Sequence, residues 1–351
     1  MNTDFMNGSD VVATRLVNQK LSVTGFNKAA DVVRWFGAVQ AQEFKAAKWA
    51  LALRMRKATE AVVEDAFNKG EIVRTHIMRP TWHFVAPEDI RWLLQLTAPR
   101  VNQRCGPNYR RFELDEAVLK RSNKIITKAL QGGKHLTRST LKSTLNLAGI
   151  DANDGVRLGH ILLRAELDGI VCSGPRDGKQ STYALLEERV PIASTLKREE
   201  ALTELTRRYF ASHGPATLHD YVWWSGLSTE DAKRGIAQLD AELEKAIVDE
   251  KIYWFPPSAR PKQAPKNSVH LLPAFDEYFV AYKDRQIAVA PSLSAWGVLG
   301  PTFLIDGVAT GTWKRINSVG IEFNASRALK KAERLALNDA AERYLTFAAK
   351  N

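Results

Sequence analysis

The spacing of apolar positions predicts helices first and strands second, and it does so three times along the chain. Residues 11–20 predict a short helix, and within 28–39 the apolar positions Ala29, Val32, Val33, Phe36 and Val39 fall at helical spacing. Two more helices are expected over 46–56 and 59–69, the second opening on Thr59 as an N-cap and stopping at Gly70. The period then shortens. IVRTHIMRPTWHFV, residues 72–85, is rich in β-branched and aromatic residues and is broken by Pro80, which predicts two strands with a turn between them. Helices followed by a β-hairpin are the order of a winged helix.

The order returns over 136–148 and 155–168, with Thr137 or Ser139 as cap, followed by a hairpin pattern in GIVCSGPRDGKQSTYALL around Pro175, Asp177 and Gly178. A third copy runs through helices at 199–212, 218–225 and 229–241 to a strand at 251–255. PPSARPKQAPKNS, residues 256–268, holds four prolines and no aromatic residue, and is expected to be a surface linker. Beyond it VHLLPAFDEYFVAY, RQIAVA, GPTFLIDGVATGTW and SVGIEF are short β-rich runs, as in a small barrel or sheet, before a closing helix over 325–350. The expected class is therefore helix-rich α+β: three tandem units in winged-helix order, then a small barrel or sheet and a C-terminal helix. The expected boundaries are 1–125 for the first unit with a basic connecting helix, 126–190, 191–262, and 263–351 for the barrel and closing helix.

A chain of 351 residues is long enough for two to four such domains, and 45% hydrophobic with 25% charged residues excludes collagen-like, mucin-like and disordered classes. A net charge of +11 points to a polyanionic partner, nucleic acid first and an anionic membrane second. Two cysteines, Cys105 and Cys172, supply neither a disulfide framework nor a thiolate cluster and fit a reducing compartment. The start MNTDFMNGSD lacks the pattern of an export signal, and no apolar run approaches the roughly 20 residues that cross a bilayer. A soluble cytoplasmic protein is expected.

The charge is concentrated. Between Thr97 and Lys142 eleven basic residues, among them Arg100, Arg104, Arg110, Arg111, Lys124 and Lys128, face three acidic ones. A solvated helix face explains many such runs. Here Asn108, Tyr109, Ser122, Asn123, Thr127 and Gln131 are interleaved as further donors, which suits sequence-independent contact with phosphates.

Signatures of other chemistry are absent: the seven histidines form no HExxH and flank no cysteine pair, and the chain has no GxxxxGK[ST], no GxGxxG opening a helix after a strand and no GxSxG. No metal or cofactor is expected. Two polar clusters in apolar context remain. In AVQAQEF, Gln40 and Gln42 follow an apolar helix, and in an extended backbone residues i and i+2 project to one side, where two amides can grip one small molecule. In RTHIMRPTWHF, Arg74, His76, Arg79, Thr81 and His83 alternate with apolar residues, so the wing is expected to gather its cations and imidazoles on one face for an anionic ligand.

Together VNQKL, VQAQEF, RTHIMRPTWHFV, LLPAFDEYFVAYKDR and IDGVATGTW resemble the winged-helix DNA glycosylases of the AlkZ and YcaQ type, over most of the chain. The resemblance implies a concave cationic surface for duplex DNA, built from three tandem winged helices and a β-barrel, and a monomer associated with the nucleoid. It also implies a catalytic motif of Gln, an aliphatic residue, then Gln or Asp. Gln40-Ala41-Gln42 is the glutamine form, associated with bulky alkylpurines and interstrand crosslinks, although Ala41 is smaller than the aliphatic residue often found there. The expected roles are Gln42 positioning water, Gln40 beside the sugar, and Arg74, Arg79, Thr81 and His83 holding the lesion strand. No lysine is singled out as a Schiff-base nucleophile, so hydrolysis alone is expected. Two other readings compete: a non-catalytic winged-helix regulator, and a hydrolase using Asp276, Glu277, Asp284 and Arg285, charges more simply expected to pair with one another.

Overall fold

A computed structural model describes residues 6–23, 25–191, 195–259, 266–294, 297–316 and 320–349. Helices α1 (Gly8–Asn18) and α2 (Ala29–Phe36) lead to the two-residue strand β1 (Val39–Gln40), then α3 (Phe44–Ala52) and α4 (Glu60–Asn68). The hairpin β2 (Val73–Ile77) and β3 (Arg79–Val85) precedes the long helices α5 (Ile90–Arg111) and α6 (Glu116–Leu130). Next come β4 (Leu136–Thr137), α7 (Arg138–Leu147), α8 (Gly155–Leu167), β5 (Val171–Ser173), β6 (Thr182–Leu185) and the single turn α9 (Leu186–Arg189). Then α10 (Arg198–His213), α11 (Leu218–Ser225) and α12 (Thr229–Gln238) are followed by β7 (Glu244–Val248) and β8 (Lys251–Phe255). The last stretch holds β9 (Val269–Leu272), α13 (Glu277–Val280), β10 (Thr302–Ile305), β11 (Val308–Arg315), β12 (Ile321–Ala325) and α14 (Lys331–Ala348). The class is α+β and helix-rich, as expected.

The chain divides into two compact units: Met1–Glu64, Leu202–Trp224 and Ser228–Asn351 form one, and Asp65–Ala201 with Ser225–Leu227 the other. In the first unit the C-terminal strands make an open antiparallel sheet in the order β12-β11-β10-β9, whose outer strands do not pair among the described residues, so the expected closed barrel is not formed. One edge is instead covered by α14, which packs along β9 and α3. The contact is aromatic, with Tyr344 and Phe347 5.1 and 5.0 Å from Trp49. Trp49 donates its indole N–H to the Leu271 carbonyl at 2.7 Å. The β10–β11 turn is a two-residue Asp306-Gly307 connection with φ of 51° and 84°, the left-handed pair that matches the twist of a tight hairpin.

Three local expectations are corrected, and one strand is added. FDEYFVAY holds a single helical turn at Glu277–Val280 rather than a strand, because Phe275 turns left-handed at φ 58° and the Asp276 carboxylate then caps α13 through Tyr278 N at 2.9 Å. RQIAVA holds a 3-10 turn at Gln286–Ala288 in place of a strand. The turn of the first hairpin falls at Met78 (φ 61°), with Pro80 already inside β3. Residues 244–248, unassigned from sequence, are a strand paired to β8. Of the expected linker, residues 260–265 lie outside the described residues.

In the second unit β2 and β3 pair antiparallel and β6 lies between β4 and β5. Thr137 caps α7 by accepting from Thr140 N at 3.2 Å. Gly226 sits where a Cβ would collide with the Met78 carbonyl oxygen, so the chain approaches the hairpin turn more closely than any side chain allows.

Candidate functional site

Gln40 ends β1 and is buried, Ala41 is fully buried, and Gln42 is exposed one residue later in a bend before α3. The two glutamines are thus not equivalent. The Gln40 backbone N–H donates to Glu277 Oε1 at 2.6 Å, a bond that spans 237 residues of sequence. Glu277 Oε2 also accepts from the Trp224 indole at 3.0 Å and lies 3.4 Å from His213 Nε2. His213 stacks on Tyr209 with ring centroids 4.9 Å apart, and burial depresses its pKa, with hydrogen bonding to Glu277 opposing that shift. Beside this cluster Arg54 forks onto both Asp276 oxygens at 2.9 and 2.8 Å and also donates to the carbonyls of Gln19 and Ala50. Arg54 and Asp276 are both buried, so each is the other's compensating charge.

Three of these charges reach partners outside their own segment: Asp276 holds Arg54, Glu277 holds the backbone of Gln40, and Asp284 meets Lys251 at 2.5 Å, while Asp284 also acts on its neighbour Arg285. A carboxylate pair embedded in the apolar run LLPAFDEYFV is the available signal, since acids there must find buried partners. Nothing in the sequence names which partners.

In the second unit the first hairpin splits its polar residues between two faces, because Arg74 and His76 lie opposite Phe84 and Trp82 while Thr75 lies opposite His83. Alternation puts Arg79, Thr81 and His83 on the Thr75 side, so the expectation of one cationic face is not met. On the first face the Arg74 guanidinium sits 4.2 Å over the Trp82 ring, and Glu166 bonds both His76 Nδ1 and the Trp82 indole. These contacts hold Arg74 and His76 in a packed aromatic cluster. On the second, His83 is buried with Nδ1 2.9 Å from the Thr81 carbonyl, while Arg79 and Thr81 are half-buried.

Residues 33–347 match the family described as DNA glycosylase AlkZ-like. The chain belongs to the AlkZ-like DNA glycosylase family. An interstrand DNA cross-link repair glycosylase of Streptomyces sahachiroi is 25% identical to it over 328 residues, 88% of this chain and 87% of that protein. The solved Streptomyces sahachiroi DNA glycosylase AlkZ covers 98% of this chain and 97% of its own with a TM-score of 0.82 at 21% identity, which shows a shared fold.

The structure sorts the cations of α5 and α6 that were expected from the sequence to meet phosphates. Arg104, Arg110, Arg111, Lys124 and Lys128 are exposed and Arg100 is half-buried. Burial and the neighbouring Arg100 guanidinium lower the pKa of Arg104, an adjacency that favours an anion. Lys124, Thr127, Lys128 and Gln131 form one stripe of α6 along a groove of about 440 Å³ that Ile170 also lines. Three of the interleaved donors drop out. Tyr109 is spent on Asn102, Ser122 on the Val118 carbonyl and Asn123 on Asp168. No helix among the described residues is long and apolar enough to cross a membrane.

Proposed function

We propose that this glycosylase hydrolyses the N-glycosidic bond of cationic N7-alkylated purines in duplex DNA, with bulky adducts and interstrand crosslinks among its substrates. The observation that carries the reading is the pair of neutral amides: Gln40 buried and fixed through its backbone, Gln42 exposed two residues on. An N7-alkylated purine already bears positive charge. As its C1′–N9 bond breaks, both electrons pass to the base and neutralise it, so no strong acid is needed to protonate the leaving group. What the site must supply is a water held against C1′ and oriented dipoles around an oxocarbenium-like sugar. Gln42 positions the water and Gln40 lies beside the sugar. The water oxygen bonds to C1′, its proton passes to solvent, and the products are the free alkylpurine and an abasic site.

Arg79 and Thr81 hold the lesion strand, with His83 packed behind them on the same face of the hairpin and Arg74 stacked on Trp82 on the other, and Arg100, Arg104, Arg110, Arg111, Lys124 and Lys128 hold phosphates along the duplex. In architecture, 1–125, 126–190 and 191–262 are winged-helix units and 263–351 the sheet with its closing helix. The enzyme acts as a monomer. The name of the Streptomyces relative, a cross-link repair glycosylase, supports the inclusion of crosslinks.

The test is release of base from duplexes carrying 7-methylguanine or an N7 crosslink, measured in single turnover. Gln40→Ala and Gln42→Ala are each expected to slow release about 100-fold or more while duplex affinity stays within about twofold. Duplex binding with no base release from wild type on either substrate favours the non-catalytic regulator instead.

A further inference from the structure

The Glu277 carboxylate is buried, and burying such a charge costs several kcal/mol unless its oxygens are met by donors. The guanidinium of Arg54 is buried beside the same turn, with its fork committed to Asp276. Among the groups that meet Glu277 are the Gln40 backbone N–H at 2.6 Å, the Trp224 indole at 3.0 Å, and His213 Nε2 at 3.4 Å. The 2.6 Å bond is the shortest of these and has the length of a charge-assisted hydrogen bond. Its partner is not an arbitrary amide but the backbone of the buried glutamine of the pair.

The surroundings hold the carboxylate as firmly as it holds Gln40. Asp276, the residue before it, caps α13 and is clamped by Arg54. The Glu277 carbonyl oxygen accepts from Gln19 Nε2 at 3.4 Å, and Gln19 Nε2 also reaches Tyr282 Oη at 3.0 Å. Tyr282 in turn donates to the His213 carbonyl at 2.7 Å. His213 and Trp224, from α10 and α11, both contact Glu277 and so triangulate its carboxylate from elements far apart in sequence. The result is a rigid post whose tip is tied to the main chain at Gln40.

We propose that Glu277 is a positioning residue for the glycosylase reaction: its carboxylate fixes the backbone of Gln40 and through it the placement of the Gln40 amide against the sugar. The proposal rests on the reading of Gln40 as catalytic. Glu277 touches no reacting atom. Its effect enters through geometry, where a displacement of about 1 Å is worth about 100-fold in rate.

The test is a two-residue cycle in single turnover at saturating duplex, with duplex affinity measured in parallel. Glu277→Gln keeps the shape but meets the Trp224 N–H and the Gln40 N–H with one oxygen and one NH2, so one donor is left without its acceptor. Its rate is expected to fall about 10- to 100-fold with affinity within about twofold. Because the effect passes through Gln40, the double variant Gln40→Ala/Glu277→Gln is expected to be no more than about threefold slower than Gln40→Ala alone. Losses that multiply, or a Glu277→Gln enzyme at wild-type rate beside a slow Gln40→Ala, overturn the positioning role and leave the glutamine reading intact. Gln40→Ala at wild-type rate overturns both. Hydrogen exchange on the wild-type protein needs no variant to fold: the Gln40 amide is expected to be strongly protected, and exchange at the rate of a free amide overturns the proposal.

Discussion

The surroundings of Gln40 in the first unit and the α5–α6 cations in the second use charge in opposite ways. Around Gln40, Arg54, Asp276 and Glu277 are all buried, and each bonds to groups brought from distant segments. Along α5 and α6, Arg110, Arg111, Lys124 and Lys128 stand exposed, where water solvates them. A buried charge is bound to its partners because removing one strands the other in a medium that cannot solvate it. An exposed charge is held only loosely by the fold and is available to an external anion. Deleting charges in the first region is therefore expected to cost stability, and in the second to cost affinity for DNA.

The largest expected effect breaks the buried pair. Arg54→Leu leaves Asp276 buried without its guanidinium, and a loss of about 3–5 kcal/mol of unfolding free energy is expected in urea or thermal denaturation. Changing both partners, as Arg54→Leu/Asp276→Asn, is expected to recover part of that loss, because the stranded charge is then gone. A single-variant loss below about 1 kcal/mol is the size of a surface pair and would erase the contrast between the regions.

Only half of the contrast is visible in the sequence. The basic run between Thr97 and Lys142 is local, so both its charge and its helices can be read from spacing, and polarity at the end of an apolar helix picks out the QAQ pair. The helix-then-hairpin order is legible for the same reason, since period and turn residues are short-range signals. Arg54–Asp276 and Gln40–Glu277 close over 222 and 237 residues, and no spacing rule pairs them. The two faces of the first hairpin escape because its turn sits at Met78, with a register shift between His76 and Ile77, rather than at the proline. Barrel closure likewise depends on whether β9 meets β12, which four alternating runs do not encode.

Acid sharpens the comparison next. On β9, His270 is buried and its pKa is pushed down to about 4 by burial, with the Arg343 and Arg54 guanidiniums adding to the shift. His213 moves the same way, and the half-buried His160 of the second unit does so as well. Between about pH 6.5 and 4 the unfolded chain takes up a proton at His270 that the folded chain refuses. Stability is thus complete above that window, falls as pH falls through it, and levels off below; for His270 the loss is on the order of 3 kcal/mol. Denaturation midpoints measured across the window are expected to follow that slope, and His270→Leu to flatten it. An unchanged slope in the variant would assign the acid sensitivity to other groups.

The smallest effect belongs to the exposed stripe. Lys124 and Lys128 stand one helical turn apart on α6 beside Thr127 and Gln131, and their ammonium groups owe little to the fold. Lys124→Ala and Lys128→Ala are expected to leave the denaturation midpoint within about 0.5 kcal/mol of wild type. Binding to undamaged duplex should respond differently. Removing one cation from a phosphate lowers the steepness of log K against log salt by about 0.9, so each variant is expected to bind more weakly at low salt and less steeply as salt is added. The measurement is a salt titration of duplex affinity for wild type and both variants, and the slopes rather than the affinities carry the answer. Equal slopes in all three would take this stripe out of the DNA interface, whereas a lower slope at unchanged stability is what an exposed charge held for an external anion predicts.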